Sequence, residues 1–534
     1  MPVDLPVTTP PVFLEKFSRM QNKYDVIVIG SGIGGLTAAA ILAKQGKKVL
    51  VLEKIHIAGG YAVNFKRGDF DFDASLHLIN GCRKGGETYN HLKQADVIDK
   101  LEFIEPENLY RAIYPDFEIT VPQNDLKAYL KKLSSYFPEE RTGIENLFKD
   151  MGKIFKDENK FLNSDVPFNI ELPFFPLKYP SLFHYRNKTF KQMLDKFLSS
   201  QKLKAIISQL WGYYGLAPSK LAAFYYSYPT YDYLANGGFY PKGGGRALTK
   251  AFTESITKNR GKIELNSEVE KIIIDNKKAI GVLINDKTEI FADFIISNVS
   301  PHKTFLEMID KKSLPKKYVN KLNKMELSIS AFQVYLGLNV NLRDKGFCDQ
   351  ETFFTPSYNV DTQYEACFTK KIKAETLIVS FSSNIDPDVA PSGKSLISIT
   401  TLSGHSFWKN LVKNDYQHKK NEIAKELIAL VEQRIIPNLA SYIEKIEIAT
   451  PLTMERYTGN TEGAIYGWSQ IVSQSGIRRM RYKTPIKNLY LASAWTWTGG
   501  GICSVVNAGF LTAKGILCHK KSSRNRKNNN IKTV

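Results

Sequence analysis

Residues 24–54 read YDVIVIGSGIGGLTAAAILAKQGKKVLVLEK, and this stretch decides the fold. Its hydrophobic pattern predicts a buried strand over 26–29, a helix over 36–45 and a second strand over 48–52. A Gly-x-Gly-x-x-Gly sequence lies between the first strand and the helix. Strand, glycine turn, helix and strand in this order predict a βαβ unit that binds a dinucleotide.

Each glycine of this pattern is required for a physical reason. Gly30 permits the tight turn, Gly32 lets the backbone approach a pyrophosphate, and Gly35 lets the helix pack closely on the strand. The pyrophosphate then lies at the helix N-terminus, where free N–H groups and the helix dipole favour an anion. Glu53, at the end of the second strand, is placed to accept hydrogen bonds from ribose hydroxyls. A plain glycine-rich turn would not have all these parts in place.

A second glycine pair distinguishes an FAD site from an NAD site. Gly59 and Gly60 follow Glu53 closely, in KIHIAGGYAVN. Flavoproteins use such a pair to admit the ribose and the flavin-side phosphate, so we predict FAD as the cofactor. The predicted fold class is α/β: a doubly wound, Rossmann-like FAD-binding domain with an inserted substrate domain of mixed β-sheet plus helices. Gly243 to Gly245 resemble a phosphate-binding loop, but no apolar strand is predicted before them, so we expect no second dinucleotide site.

Composition narrows the class of partner. The chain has 534 residues and a formal charge of +20, which favours an acidic partner such as an anionic lipid surface. No zinc-finger or ribonucleoprotein signature is present, so we do not expect nucleic acid binding. The five cysteines are odd in number and never spaced as Cys-x-x-Cys, which argues against disulfides and a metal site and suits a reducing, cytoplasmic compartment. The N-terminal sequence lacks the apolar run of a signal peptide, and no segment reads as a membrane span.

The order of motifs predicts how the domains are interleaved along the chain. The FAD-binding domain is built from three separated parts, and the substrate domain from the two segments between them. The predicted boundaries are 1–23 for an irregular N-terminal arm, 24–125 for the first FAD-binding part, 126–236 for a helical, substrate- and membrane-facing insertion, 237–305 for the second FAD-binding part, 306–450 for the sheet and helices of the substrate domain, 451–518 for the C-terminal FAD-binding part and 519–534 for a basic, disordered tail.

Two further motifs give the chain a family resemblance. GGFYPKGGGRAL spans 237–248 and NLYLASAWTWTGGG spans 488–501, with a Gly-x-Ile-x-Leu-x-x-x-Val strand over 261–269 between them. With the N-terminal fingerprint, this order resembles the phytoene desaturase-like flavoproteins. That family includes bacterial phytoene dehydrogenases, prolycopene isomerases and retinol saturases. The resemblance covers residues 24–517.

The resemblance implies a set of cofactor contacts. In the family the matching positions hold the ADP half of FAD, meet adenine with a strand backbone, and place a C-terminal helix against the flavin pyrimidine. The C-terminal segment departs from the bacterial dehydrogenases at three positions, which argues against desaturation as the specific reaction; they are Ser493, Trp495 and Thr498. The implied FAD contacts are Gly30, Gly32, Gly35, Glu53, Gly59, Gly60, Val269, Gly499, Gly500, Gly501 and Ile502.

Four residues are candidates to face a substrate. Trp495 and Trp497 flank the C-terminal glycine run, Tyr466 lies in the sequence GAIYGWSQ, and His77 lies in FDFDASLHLIN. Buried aromatic residues usually belong to a core, and a core role for His77 is also open. Asp73 is interpreted as a structural hydrogen-bonding residue. No general acid or other catalytic residue is assigned from the sequence.

The family resemblance implies an FAD-dependent oxidoreductase that acts on C–C or C=C bonds of a lipophilic polyene or isoprenoid, carotenoid- or retinoid-like. Desaturation, saturation and cis–trans isomerisation all remain open, since each needs only flavin N5 beside a polyene. The electron partner would be a quinone, oxygen or a redox protein. Two alternatives remain: a flavin amine oxidase, and a non-catalytic scaffold or escort protein on the same fold.

A basic stretch predicts peripheral attachment to a membrane. Residues 177–204 contain seven Lys or Arg and one Asp, interleaved with Leu, Phe, Tyr and Met. Such a surface could dock on anionic lipid and give access to a lipophilic substrate. The alternative is a solvated helix face that covers the core.

Overall fold

The structure is a computed structural model that describes residues 23–530, apart from 165, 167, 286–287 and 370–375. The predicted N-terminal arm, 1–23, lies outside the described residues except for Lys23, which begins the first strand. All five cysteines are free thiols. Within the described ranges, no helix combines the length and apolarity needed to cross a bilayer, and no cluster of His, Cys, Asp or Glu could hold a metal ion.

The first sheet confirms the predicted βαβ unit. Strand Lys23–Ile29 pairs in parallel with both its neighbours, as expected for an apolar strand buried on two faces. Helix Ile33–Lys44 begins three residues before the predicted start. The prediction was late because glycines, which have low helix propensity, form the first turn. In spatial order the strands are Lys262–Glu264, Val49–Leu52, Lys23–Ile29, Thr288–Ser297, Lys278–Ile284 and Val269–Asp275, with Leu489–Leu491 paired to the end of Thr288–Ser297.

Successive residues of the first strand face opposite layers. Val26 and Val28 pack in a core under helices Ile33–Lys44, Gly244–Lys258 and Ile502–Asn530. Ile27 and Ile29 pack in a second core with Phe305, Trp468 and Trp495. The alternation of a strand thus produces the doubly wound architecture that the sequence predicted.

A second, mixed sheet forms the inserted domain. Its strands are antiparallel except where Glu351–Phe354 runs parallel to Asn108–Ile113. Strands 108–113 and 118–122 therefore belong to this sheet, and not to the first FAD-binding part to which the sequence assigned them. Short alternating strands do not reveal which sheet they will join, since pairing is non-local. The order is Ile443–Ala449, Ser330–Leu338, Ser395–Ser403, Leu377–Ser380, Glu351–Phe354, Asn108–Ile113 and Glu118–Pro122. Two small sheets complete the strands: Asn64–Arg67 with Phe70–Asp73, and Ile79–Asn80 with Gly238–Pro241 and Phe103–Ile104.

Helices cover both faces of the second sheet. Helix Lys413–Arg434 packs on one face through Ile423, Leu427 and Val431. On the other face lie Leu126–Tyr136, Arg141–Leu162, Phe190–Phe197, Gln201–Ile207 and Ala223–Asn236. These are the helices predicted for the insertion.

Most apolar residues of 177–204 point inward and not toward a membrane, whereas Leu177, the first residue of the stretch, is exposed. Tyr179, Tyr185, Phe190 and Met193 are all buried in the core of the helical insertion. This stretch therefore fits the alternative prediction, a solvated helix face that covers the core, because its apolar residues recur at helical spacing and are buried.

The C-terminal helix differs from the predicted tail. Its backbone is helical from Ile502 to Asn530, so 519–530 continue the helix where we predicted disorder. No Gly or Pro follows Gly515, and nothing in the sequence therefore terminates the helix at 518.

Candidate cofactor and substrate cavity

A cavity of about 680 Å³ lies between the two sheets. Residues at the carboxyl ends of parallel strands line one end of it, among them Ile29, Leu52 and Asn298. In doubly wound folds a ligand binds outside the carboxyl ends of the strands. The other end is lined by residues of the helical insertion, including Phe161 and Tyr213.

The N-terminus of helix Ile33–Lys44 opens into this cavity. Gly32 is its N-cap residue, no side chain caps it, and its first turn holds no acidic residue. Gly32, Ile33 and Gly34 all line the cavity, so the free N–H groups and the positive end of the dipole face the ligand. A side chain at Gly32 would place its Cβ 2.4 Å from Asn298 Oδ1. This cradle of bare backbone fits the pyrophosphate of FAD.

The two predicted glycine turns pack against each other. Gly59 N–H donates to the Ser31 carbonyl at 3.1 Å, and a Cβ on Gly60 would lie 3.1 Å from Gly32 Cα. Both glycines also have positive φ, where a side chain is strained. Gly35 does not line the cavity. Its Cβ would lie 2.7 Å from the Gly30 carbonyl oxygen, so it serves helix–strand packing.

Glu53 is buried and held in a fixed orientation at the end of its strand. Its Oε2 accepts from Ser31 N–H at 2.9 Å and from Ser31 Oγ–H at 2.7 Å, while Oε1 accepts from Ile55 N–H at 3.1 Å. Glu53 lines the cavity, with lone pairs left for ribose hydroxyls. Val269 begins a strand beside it and also lines the cavity.

The C-terminal glycine segment forms another wall. Gly500, Gly501 and Ile502 line the cavity, and helix Ile502–Asn530 begins there, so its positive end faces the ligand. Gly499 does not line it. A Cβ on Gly499 would clash with the Tyr225 hydroxyl and lie 2.4 Å from Gln470 Nε2, so this glycine permits close packing behind the wall.

We expect Gly500→Val to disturb the flavin ring and leave the ADP half bound. A Cβ there would lie 2.9 Å from Tyr466 Cα, so the segment must move. Losing a helix N-terminus beside the developing negative charge of reduced flavin should lower its reduction potential by on the order of 10 to 40 mV. A redox titration beside wild type measures this shift. Gly393→Ala, at an exposed turn away from the cavity, is the control. An unchanged potential and flavin spectrum would remove the segment from the flavin site.

The four predicted substrate-facing residues all line the cavity. Trp495 stacks edge-on to Trp468 with centroids 4.9 Å apart, and Trp497 packs edge-on to Phe161 at 5.5 Å. Tyr466 O–H donates to the Gly212 carbonyl at 2.9 Å, which ties the wall to the helical insertion. These residues therefore combine a packing role with a face on the cavity.

Asp73 has the structural role that we predicted. Its carboxylate accepts from Gly245 N–H at 2.7 Å and from Leu76 N–H at 2.7 Å. Contrary to our prediction, a strand, Gly238–Pro241, does lead into the Gly243 loop. The N–H groups that could bind phosphate there are already bonded, however, because Asp73 and Asn64 accept from helix Gly244–Lys258.

No sequence motif pointed to the partners of His77. Its Nδ1 lies 2.6 Å from Glu351 Oε1, and Tyr213 O–H donates to the other oxygen of the same carboxylate. Burial lowers the pKa of His77, but the charge of Glu351 and its hydrogen bond outweigh this effect, so the pKa is raised. The three residues come from distant segments, and only the fold brings them together.

Three carboxyl groups of the cavity were also not predicted. Glu87, Glu158 and Asp232 line it together. Burial, reinforced by the charge of Glu87, raises the pKa of Glu158 to about 8. Tyr228 O–H donates to Glu87 at 2.7 Å. At neutral pH this end of the cavity therefore holds less negative charge than its three acids suggest.

This fold and cavity define an FAD-dependent oxidoreductase. The chain belongs to the family of flavin containing amine oxidoreductases, whose sequence pattern matches residues 33–517. It binds FAD, which supplies a hydride donor and acceptor at N5. The residues that line the cavity would cradle the cofactor, orient its ribose and flavin ends, and line the space beside the ring.

Curated relatives cover nearly the whole chain. The chain is 29% identical to a chloroplastic prolycopene isomerase of Daucus carota over 92% of its length and 80% of the relative's. It is 28% identical to an all-trans-retinol 13,14-reductase of Danio rerio over 89% of its length and 83% of the relative's.

Solved structures share the fold. An oxidoreductase from Methanosarcina mazei matches with a TM-score of 0.63 at 19% identity, over 92% of this chain and 100% of the other. A putrescine oxidase bound to putrescine matches with a TM-score of 0.63 at 14% identity, over 93% of this chain and 99% of the other.

Proposed function

We propose that the protein carries out saturation or cis–trans isomerisation at a C=C bond of a lipophilic polyene or isoprenoid. The observation that carries this proposal is a single cavity that joins the cofactor cradle to a pocket walled by Phe161, Trp495 and Trp497. Aromatic walls suit a long apolar substrate and exclude water from the ring. An isomerase and a reductase among the relatives favour these two reactions over desaturation.

Mass spectrometry of lipid extracts tests this proposal directly. Cells with and without the protein should differ in a conjugated lipid by two hydrogens, for saturation, or by retention time at equal mass, for isomerisation. Identical extracts would contradict the proposal. Saturation leaves the flavin oxidised, so its electron partner would be a donor, and reduction of the oxidised protein by a reduced quinone or by a reduced redox protein identifies that partner. A flavin that no donor reduces and no acceptor reoxidises would favour the scaffold alternative.

A second candidate is oxidation of a hydrophobic amine. The three carboxyl groups in the cavity supply oxygen acceptors for an ammonium group, and a bound cation would favour their ionised forms; they are Glu87, Glu158 and Asp232. Cys503 does not support a covalent flavin bond, because burial raises the pKa of its thiol to about 12 and its Sγ–H donates to Asn80. Hydrogen peroxide release with a long-chain amine, and none with a polyene, would select this candidate.

We propose further that the protein docks peripherally on an anionic membrane through an apolar ridge beside the cavity. This ridge consists of Ile170, Leu172, Phe174 and Leu177, of which Leu177 is 83% exposed. Leu172 lines the cavity as well, so a ligand held in lipid would lie next to the opening. Exposed large apolar groups in one short segment mark an interaction surface, and the net charge of +20 suits an anionic surface.

The double variant Phe174→Glu, Leu177→Glu is expected to weaken liposome binding by on the order of 100-fold or more, because each buried side chain contributes about 1.5 kcal/mol or more. Flotation with vesicles of anionic and of neutral lipid measures the loss, and high salt should weaken wild-type binding too. Val412→Glu is the matched control, since Val412 is 66% exposed on a different element. Equal flotation of wild type and the double variant would contradict this docking surface.

A further inference from the structure

A buried carboxylate organises two ring side chains of the cavity wall. Glu351 is 1% exposed and begins a strand of the second sheet. It receives three hydrogen bonds: from His77 at 2.6 Å, from Ser380 Oγ–H at 3.1 Å and from the Tyr213 hydroxyl. His77 belongs to the first FAD-binding part and Tyr213 to the helical insertion, so all three structural units meet at this carboxylate.

The hydrogen bond that His77 donates to Glu351 decides which nitrogen of His77 is free. Since Nδ1–H points at the carboxylate, Nε2 is the atom that can exchange a proton with a ligand. Among the described residues Nε2 has no hydrogen-bond partner, and the ring lines the cavity. Tyr213 lines it too, with its ring centroid 5.2 Å from that of His77.

Burial of the Glu351 carboxylate would cost free energy without a clear return if its role were only structural. A buried carboxylate must be compensated by donors, and well-packed apolar residues of similar volume would often be as stable. Paired titratable groups in a ligand cavity are typical of proton transfer.

We propose that His77 is the proton-transfer residue of the reaction, with Nε2 facing the substrate, and that Glu351 and Tyr213 are its positioning residues. This assignment rests on the proposed saturation of a polyene and supplies the proton that saturation requires. Saturation adds a hydride to one carbon of a C=C bond and a proton to the other. Reduced flavin would give the hydride with its two electrons, Nε2–H gives the proton, and a reduced quinone or a reduced redox protein would return two electrons to the flavin. The imidazole left neutral is reprotonated from water.

The surroundings set the direction of the pH dependence. Asp73 and Glu351 are the acids that favour the charged imidazole, and Tyr213 and Tyr233 are the titratable phenols near Glu351. Burial and Glu351 raise the pKa of Tyr213 above its usual range, so it stays protonated and donates. Turnover by saturation should thus fall as pH rises through the pKa of His77. Folding stability contributed by the His77–Glu351 pair should be lost over that same rise, because the folded-state pKa is the higher one.

Four variants test this assignment in the FAD-loaded protein, with all-trans-retinol in detergent as the probe and dithionite as the reductant. His77→Gln should lower kcat by on the order of 100-fold or more with KM and FAD content unchanged. Glu351→Gln should move the alkaline limb of the rate profile to lower pH. Tyr213→Phe should move it to higher pH, because the carboxylate loses a donor and attracts His77 more strongly. His418→Gln, on an exposed helix surface, should change none of these.

A readout independent of turnover completes the test. In protein with isotope-labelled histidine, the NMR signal lost in His77→Gln identifies His77, and its titration should move to lower pH in Glu351→Gln. Wild-type turnover by FAD-loaded His77→Gln would overturn the proton-transfer role. An unchanged His77 titration in Glu351→Gln would overturn the positioning role. If wild type converts no polyene, the proposed function fails, and the NMR titration alone then decides whether Glu351 controls His77. If His77→Gln does not fold, the opposite shifts of Glu351→Gln and Tyr213→Phe decide, and equal profiles would overturn the proposal.

Discussion

Gly32→Val is expected to yield a colourless protein that retains no FAD. The new Cβ would lie 2.4 Å from Asn298 Oδ1, and its methyl groups would extend into the space that the pyrophosphate needs. Gly32 also contacts the second glycine turn at Gly60, so the clash has no simple route of relief. The protein should also lose the stabilisation that bound cofactor provides by mass action.

The measurement is the flavin-to-protein absorbance ratio after gel filtration, with chromatography of the released cofactor to distinguish FAD from FMN. Gly46→Ala is the matched control, because Gly46 follows the other end of the same helix and its Cβ would meet no atom within 4 Å. Its φ of +74° makes alanine cost about 1 kcal/mol of stability, but the cofactor should stay bound. Full FAD occupancy in Gly32→Val would contradict the assignment of this helix N-terminus as the pyrophosphate site.

The second large effect is expected from Arg479→Met. Arg479 is 1% exposed and donates to three backbone carbonyls: Thr496 at 2.8 Å, Trp468 at 2.7 Å and Ala494 at 2.8 Å. Burial lowers the pKa of Arg479 to about 10, so the guanidinium remains charged at neutral pH. Its loss leaves the buried carbonyls of Trp468 and Ala494 without this donor, which costs about 1 kcal/mol or more for each, while the Thr496 carbonyl still accepts from Gly499 N–H at 3.0 Å.

We therefore expect Arg479→Met to lower the free energy of unfolding by about 2 kcal/mol or more, and to release flavin because the segment around Trp495 loses its support. Denaturant titration and flavin content measure both effects. Arg479→Lys should recover part of each, since an ammonium group can still donate to carbonyls. Arg343→Met, at an exposed arginine, should stay within about 0.5 kcal/mol of wild type. Wild-type stability and flavin content in Arg479→Met would show that the segment is held by other contacts.

Local patterns were sufficient for the cofactor half of the molecule. The fingerprint predicted strand, helix, strand and Glu53 correctly because the requirements of a dinucleotide site lie within one continuous stretch of chain. The C-terminal glycine wall was found in the same way, except that Gly499 packs behind it.

Non-local contacts decided what the local patterns left open. Strands 108–113 and 118–122 joined the second sheet, and the apolar residues of 177–204 turned out to cover a core. The exposed apolar ridge ends on Leu177, the first residue of that stretch, in a region where Pro173, Pro176 and Pro180 interrupt the helical spacing.

From the sequence alone, this chain's cofactor class, its doubly wound domain and most of its flavin cradle could be determined, because backbone geometry and short-range spacing dictate them. The environment of His77 was decided only by the tertiary structure. His77, Tyr213 and Glu351 are far apart in sequence and carry no motif. Their chemistry depends on a buried carboxylate that donors from three structural units reach at once, and only packing creates that burial and those distances.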